Sequence, residues 1–202
     1  MFNKPIKYFN NSLINKLNLL SKYPISIFVL NSSFIAAENG ISGTIMKTLY
    51  LELDNTFDIK NMDGVEVPIG RICTPKEYPN GTKNLKLEDI LKRIRNTFDM
   101  DKILYVGDLN HKIKKICIIG GDMISIKLLD KAERYGFDCF ISGKLGHHEA
   151  IHAKEIGLSL IEISHYKNEI MAMKKLCNLL SLEFPFDEFI LFESTDPIEY
   201  YP

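Results

Sequence analysis

Residues 115–169 read KICIIGGDMISIKLLDKAERYGFDCFISGKLGHHEAIHAKEIGLSLIEISHYKNE, and this stretch decides the fold class. Three short apolar runs in it, Lys115–Ile119, Phe137–Ile141 and Leu158–Ile163, are typical of strands covered on both faces. The two stretches between them predict helices that end near Gly136 and Gly157. Strands that alternate with helices predict an α/β protein, with the three strands as neighbours in one sheet.

The flanking sequence predicts further elements. Ile25–Leu30 (ISIFVL) predicts a strand buried on both faces, followed by a helix start at Ser32 and Ser33. Leu87–Phe98 carries apolar residues at helical spacing and predicts an amphipathic helix, and the last helix is expected from Tyr166 to about Leu180. The loop-like segments 54–68 and 75–84 indicate a hinge or linker, so the single region 1–202 has a candidate subdivision near 54–84.

Composition excludes several classes of protein. The 202 residues are 46% hydrophobic and 25% charged, which is typical of a globular chain and not of a disordered or collagen-like one. The net charge of -1 gives no support to nucleic-acid binding, and no apolar run reaches the roughly 18 residues of a membrane span. The separated cysteines are Cys73, Cys117, Cys139 and Cys177; they lack a CxxC pair, and three of them lie in apolar runs, which is typical of buried thiols. We therefore expect a cytoplasmic protein.

The predicted strands end on residues suited to a binding site. Gly120-Gly121, Ser142-Gly143 and Ser164-His165 follow successive strands. Ligands of α/β sheets bind outside the carboxyl ends of the strands. We therefore expect these residues to line one cleft.

Four of the five histidines, His147, His148, His152 and His165, fall within 19 residues. The i, i+4 spacing of His165 and Glu169 places both side chains on one face of a helix. Both are acceptable ligands for zinc or another divalent transition metal. The alternative is that His165 caps the helix while Glu169 is a solvated carboxylate favoured by the helix dipole.

The residues His148-Glu149-Ala150-Ile151-His152 also form HExxH, a zinc-protease motif. The predicted helix ends at Gly157, five residues after His152. No third ligand follows at the usual spacing, so Glu162, Glu169 and His165 would have to serve. A zinc protease is therefore a remote alternative.

Residues 137–169 resemble the C-terminal signature of the NGG-one-interacting-factor-three (Nif-three-like) family, whose members are also called GTP cyclohydrolase type-two homologues. The resemblance rests on nine residues of this sequence: Ser142, Gly143, Lys144, His147, His148, Ala153, Gly157, His165 and Glu169. Upstream, Gly120-Gly121 resembles a glycine turn of the family, and Ile69–Ile72 (IGRI) resembles its Gly-Arg strand.

The resemblance implies a fold of two similar intertwined α/β units, here shortened at the N-terminus. It also implies a homo-oligomer, either a dimer or a larger ring, and a two-metal site for zinc, manganese or iron. His165 and Glu169 match the C-terminal metal ligands of that site, and Gly121, Gly143, His147 and His148 are further candidates for the pocket.

The sequence departs from the family pattern at two places. The family's His-His-Pro would precede Met1, because NKPIKYF resembles the residues that come after this motif in the family; a truncated gene model and a real loss both explain this. Asn31 stands at a family histidine and Ile35 at the ligand aspartate, which no truncation explains. We expect an altered site that binds metal weakly and has little or no activity.

Two functions remain open at this stage. The first is an oligomeric binding scaffold, with a protein partner as one option, and the second is an active metal-dependent hydrolase of a phosphate or nucleotide-like substrate. The substrate itself is not encoded in any motif.

Overall fold

The structure, a computed structural model, describes residues 10–61, 63–76 and 85–199, which divide into two compact units between Asn31 and Ser32. In chain order the elements are α1 (Asn11–Leu20), α2 (Ser32–Ala36), α3 (Ile41–Thr48), β1 (Leu51–Lys60), β2 (Glu66–Pro75), β3 (Leu85–Lys86), α4 (Leu87–Phe98), β4 (Tyr105–Val106), β5 (Lys112–Ile113), β6 (Ile116–Ile119), α5 (Ile126–Arg134), β7 (Cys139–Ser142), α6 (His147–Glu155), β8 (Ser159–Glu162) and α7 (His165–Glu183).

A mixed sheet forms the centre of the second unit. Within the described ranges its strand order is β1-β2-β6-β7-β8-β4, while β3 and β5 pair separately. β6, β7 and β8 are parallel to one another, and β1, β2 and β4 are joined antiparallel. The predicted α/β class and the predicted neighbourhood of the three strands are confirmed.

Burial on both faces explains the apolar character of β6 and β7, while β8 is buried except at Glu162. All four residues of β6 and all four of β7 are buried. Since successive side chains of a strand point to opposite faces, both faces of the sheet are covered there. Cys73, Cys117 and Cys139 lie in this core, as predicted, and Cys177 is half-buried.

The predicted helices are confirmed, with small shifts at their ends. α4 spans Leu87–Phe98 as predicted, with Leu87, Ile90, Ile94 and Phe98 buried. α5 starts at Ile126 because Ser125 has the extended backbone of a residue that precedes a helix. α7 begins at His165 and continues to Glu183, and α2 begins at Ser32.

The predicted buried strand Ile25–Leu30 is wrong. This segment belongs to the first unit, follows α1, and is neither helix nor strand, and its apolar side chains are exposed, Phe28 by 90%. A strand requires a neighbouring strand for its backbone N–H and C=O groups. In the described part of the chain no strand pairs with this segment. Its β-branched residues alone are therefore not enough to make it a strand.

The segment 54–68, which suggested a hinge or linker, lies largely in the antiparallel pair of β1 and β2. Its polar character reflects the edge position of β1, whose residues 52–55 are exposed, while Leu51 and Phe57 face the core. The Asn61 side chain accepts hydrogen bonds from the backbone N–H groups of Asp63 and Val65 and shapes the turn. Of the second loop-like segment, residues 77–84 lie outside the described residues.

No helix in the described ranges is both long and apolar enough to cross a membrane.

Candidate functional site

The carboxyl ends of β6, β7 and β8 meet, as the sequence predicts. The Gly143 N–H donates to the Gly121 carbonyl at 3.0 Å, and the Ile163 N–H donates to the Ser142 carbonyl at 2.8 Å. A methyl group added at Gly143 would approach both the Gly121 carbonyl oxygen and the Asn168 side chain to 2.6 Å. Glycine at position 143 is what allows the turns after β6 and β7 to touch.

A cleft of about 540 Å³ opens at these strand ends. Its lining residues lie at the carboxyl ends of β6, β7 and β8, at the start of α7 and in the C-terminal segment. They are Asp122, Gly143, Lys144, Glu162, Ser164, His165, Tyr166, Glu169, Asp196, Pro197 and Ile198. The predicted site residues Gly143, His165 and Glu169 are among them. Gly121 adjoins the cleft through its bond to Gly143.

His165 and Glu169 form the predicted pair on α7. His165 Nε2 lies 3.1 Å from Glu169 Oε1, and both side chains are about half exposed, at 47% and 46%. His165 is the first residue of the helix, which directs the pair to the strand ends. Two donors with this spacing can contact one ion together.

The start of α7 is fixed by the buried side chain of Asn168. Its Nδ2 donates to the carbonyl oxygens of Ile163 and Ser164, at 3.2 and 3.1 Å, and so ties the helix to the end of β8. Its Oδ1 is buried without a hydrogen-bond partner among the described residues. Asn168 therefore holds the turn that presents His165.

Asp122, Lys144 and Glu162 also line the cleft, and two contacts hold their side chains. Lys144 Nζ lies 3.0 Å from Asp122 Oδ2, and this hydrogen bond raises the pKa of Lys144. The Leu145 N–H donates to Glu162 Oε2 at 2.7 Å. Burial raises the pKa of the Glu162 carboxyl, although the bond from Leu145 opposes that shift.

The remaining histidines of the cluster lie elsewhere. His147 and His148 are exposed in the first turn of α6 and are not lining residues of the cleft, so the expected sharing of the cleft with one of them is not seen. His152 Nε2 contacts Asp130 Oδ1 of α5 at 2.7 Å. This contact links α5 and α6.

Residues 1–197 match the family model described as Duf34/NIF3 (NGG1p interacting factor 3). The chain belongs to the Duf34/NIF3 family. This confirms the resemblance recognised in residues 137–169 and extends it across nearly the whole chain.

Among the curated relatives of this NIF3-family chain, several are called GTP cyclohydrolase 1 type 2 homolog. The protein of that name from Clostridium perfringens is 27% identical over 203 residues, covering 99% of this chain and 74% of the relative. One from Staphylococcus aureus is 38% identical over 87 residues, or 43% of this chain and 23% of the relative. One from Clostridium acetobutylicum is 22% identical, over 87% of this chain and 65% of the relative.

Two solved structures share the fold of this chain. Staphylococcus aureus protein SA1388 superposes with a TM-score of 0.77 at 22% identity, over 98% of this chain and 77% of that one. Reduced HcgD from Methanocaldococcus jannaschii superposes with a TM-score of 0.69 at 22% identity, over 90% of this chain and 66% of that one. At this identity the likeness establishes the fold alone.

The donor groups of this NIF3-family chain do not fit the two-metal site that the resemblance implies. Across residues 10–61, 63–76 and 85–199, no three His, Cys, Asp or Glu side chains come together closely enough to hold a metal ion. Ile35 of α2 is buried and lies against Gly121, where a methyl group on the glycine would meet its Cδ1 at 3.0 Å. Ile35, which the resemblance matches to the ligand aspartate, thus places an alkyl group with no donor atom next to the cleft.

Sequence reasoning missed part of the cleft wall. Asp122 and Lys144 are close in sequence to the predicted residues, and the preference of ligands for the carboxyl ends of strands could have included them. Glu162 was expected only as a stand-in third zinc ligand of HExxH, not as part of this cleft. Asp196, Pro197 and Ile198 had no such signal, since they follow α7 by more than ten residues. Only the return of the chain along α7 brings them to the cleft.

Proposed function

We propose that this NIF3-family protein has an altered metal site, binds divalent metal ions weakly, has low or no hydrolytic activity and serves as an oligomeric binding scaffold. The observation that carries the proposal is Ile35, buried against Gly121 at the border of the cleft. An alkyl side chain can neither coordinate an ion nor order a water molecule. His165 and Glu169 are then the only matched ligands left in the described residues.

The consequence for catalysis follows from the chemistry of metal pairs. Two-metal hydrolysis depends on ions that contact both the attacking and the leaving oxygen. One histidine and one carboxylate can hold a single ion only loosely, with water as the other ligands. We therefore derive no catalytic step for this chain.

The first experiment is a calorimetric titration of zinc and manganese into protein stripped with a chelator. Compared with the unaltered chain, Ile35→Asp is expected to bind either ion at least about tenfold more tightly, because it restores a charged oxygen ligand next to the cleft. Ile35→Leu is the matched control, since it keeps the apolar volume and is expected to bind as weakly as the unaltered chain. Micromolar or tighter binding by the unaltered chain would contradict the altered site.

The alternative is an active metal-dependent hydrolase of a phosphate or nucleotide-like substrate. It is favoured by the His165–Glu169 pair and by Lys144, whose ammonium group lines the same cleft. Turnover of a phosphate ester in the presence of zinc or manganese, abolished in His165→Ala and retained in His148→Ala, would establish it. His148 is an exposed histidine outside the cleft and so serves as the control.

Self-association of this chain is part of the proposal. Large apolar side chains near the C-terminus are exposed, with Phe186 at 101%, Phe192 at 87% and Leu182 at 84%. Exposed apolar residues in such number favour an interface, and soluble homo-oligomers usually have closed symmetry. The small net charge of -1 opposes association little.

A further inference from the structure

The segment Glu193–Ile198, here called the strap, returns along α7 towards the cleft. Lys174 Nζ lies 2.8 Å from Glu193 Oε1, the Tyr166 hydroxyl donates to the Ser194 carbonyl, and Ser164 Oγ donates to Asp196 Oδ2 at 3.3 Å. As the strap advances, its partners lie progressively closer to the start of α7. The strap therefore runs antiparallel to the helix and ends beside His165.

The strap forms one wall of the cleft. Asp196, Pro197 and Ile198 line the same cavity as His165 and Glu169. Removal of the strap would therefore widen the cleft on the side of the His165–Glu169 pair. The three polar contacts with α7 and its N-cap residue hold this wall in place.

Asp196 joins the strap to the residue that precedes His165. Ser164 occupies the N-cap position of α7, but its side chain makes no capping bond to the helix and its hydroxyl donates to Asp196 instead. The other carboxylate oxygen, Asp196 Oδ1, accepts the Ile198 N–H at 3.0 Å and fixes the turn of the strap. A carboxylate near the start of a helix is also favoured by the helix dipole.

These contacts are of a kind that breaks readily. Lys174 and Glu193 are both about half exposed, and an ion pair in water contributes little to stability. Ile198 is 70% exposed, so the strap buries little apolar surface at its end. Segments with few buried contacts and solvent-exposed hydrogen bonds are the ones that open locally.

We propose that the strap is a detachable wall of the cleft, that Asp196 is the positioning residue that docks it, and that docking is coupled to occupancy of the cleft. The coupling rests on the proposed function, since it takes the His165–Glu169 cleft as the binding site. A ligand that touches the strap binds more tightly when the strap is docked, and by reciprocity it holds the strap in place.

Cleavage of the full chain after Glu193 by a glutamate-specific protease tests the docking. Asp196→Ala is expected to release residues 194–202 about two- to tenfold faster than the unaltered chain, the range for loss of one hydrogen bond. Asp196→Asn, whose amide can bond both Ser164 and the Ile198 N–H, is expected to restore the slow rate. Asp187→Ala is the control, because it removes a carboxylate from the same C-terminal region outside the strap.

Mass spectrometry of the released peptide gives each rate, and cleavage of an added glutamyl peptide serves as the reference for protease activity. Equal rates after Glu193 in Asp196→Ala and the unaltered chain would overturn the docking role. Should Asp196→Ala fail to fold, as judged by circular dichroism, Ser164→Ala removes the same bond from the other side and is read by the same criterion.

Manganese alone is the probe of the coupling. Manganese is expected to slow cleavage after Glu193 in the unaltered chain and to do so less in Asp196→Ala. Manganese that binds the unaltered chain, as calorimetry in the same buffer measures, without slowing cleavage after Glu193 would overturn the coupling. Tight metal binding with unchanged strap cleavage would overturn the proposed function and the coupling while leaving the docking result intact, so the failures are distinguishable.

Discussion

At the scale of single residues, the charged side chains of the cleft differ in whether a group of opposite charge lies next to them. Lys144 and Asp122 are paired, and His165 and Glu169 are paired. Glu162 accepts one backbone N–H but is partly removed from water, and burial raises its pKa. Ionisation of the Glu162 carboxyl is therefore expected to destabilise the folded protein.

This destabilisation predicts a pH dependence of stability. Because the folded pKa of Glu162 is raised above the unfolded value of 4.5, its favourable contribution is present below that value and is lost as the pH rises through the folded pKa. Glu162→Gln, which can still accept the Leu145 N–H, is expected to gain free energy of unfolding relative to the unaltered chain as the pH rises above about 4.5.

Urea unfolding of both proteins between pH 4 and pH 7 measures the difference. Glu155→Gln, at an exposed glutamate at the end of α6, is the control for loss of a charge as such. A difference between Glu162→Gln and the unaltered chain that stays constant over this range would contradict the assignment.

At the scale of elements, α2 is held to the sheet by one buried cation. Arg71 of β2 is 3% exposed, and its Nη2 donates to the carbonyl oxygens of Ala36 and Ala37, both at 2.7 Å. Its Nη1 donates to those of Pro68 and Gly70, both at 2.9 Å. The guanidinium therefore satisfies the end of the short helix that carries Ile35, and its flat fork suits several carbonyls at once.

Arg71→Leu is expected to lower the free energy of unfolding by about 2–4 kcal/mol, because it leaves buried carbonyl oxygens without donors. Arg71→Lys keeps the charge but loses the forked guanidinium, so its free energy of unfolding is expected to lie between those of Arg71→Leu and the unaltered chain. Chemical unfolding measures the free energy of unfolding of both variants. Arg95→Leu, on the exposed face of α4, is the control and is expected to change that free energy by less than about 0.5 kcal/mol. A loss for Arg71→Leu no larger than that of the control would contradict the role of Arg71.

At the scale of the whole molecule, the proposal of a homo-oligomer gives a direct measurement. The chain has a mass of 23.2 kDa, so light scattering at micromolar concentration is expected to give at least twice that value. The double variant Phe186→Ser/Phe192→Ser is expected to lower the measured mass, because it removes two exposed apolar side chains. Ile126→Ser, at an exposed residue of α5, is the control. A mass near 23.2 kDa for the unaltered chain would contradict self-association.

The sequence by itself determined the elements whose signal is local. Each of these elements is identified from its own residues: α4 by the helical spacing of Leu87–Phe98, and β6, β7 and β8 by their apolar runs. Because ligands of α/β sheets bind at the carboxyl ends of the strands, the sequence also predicted that Gly121, Gly143 and His165 lie close together. The pair of His165 and Glu169 follows from one turn of helix.

Only the tertiary structure decided the features that depend on distant partners. Ile25–Leu30 has the composition of a strand but no neighbouring strand in the described residues, whereas the polar β1 is a strand because β2 pairs with it. Asp196 reaches the cleft because the chain turns back along α7, and His147 and His148 miss it because they begin α6 on an exposed face. Strand pairing and chain return are set by contacts between residues far apart in sequence, which no local pattern contains.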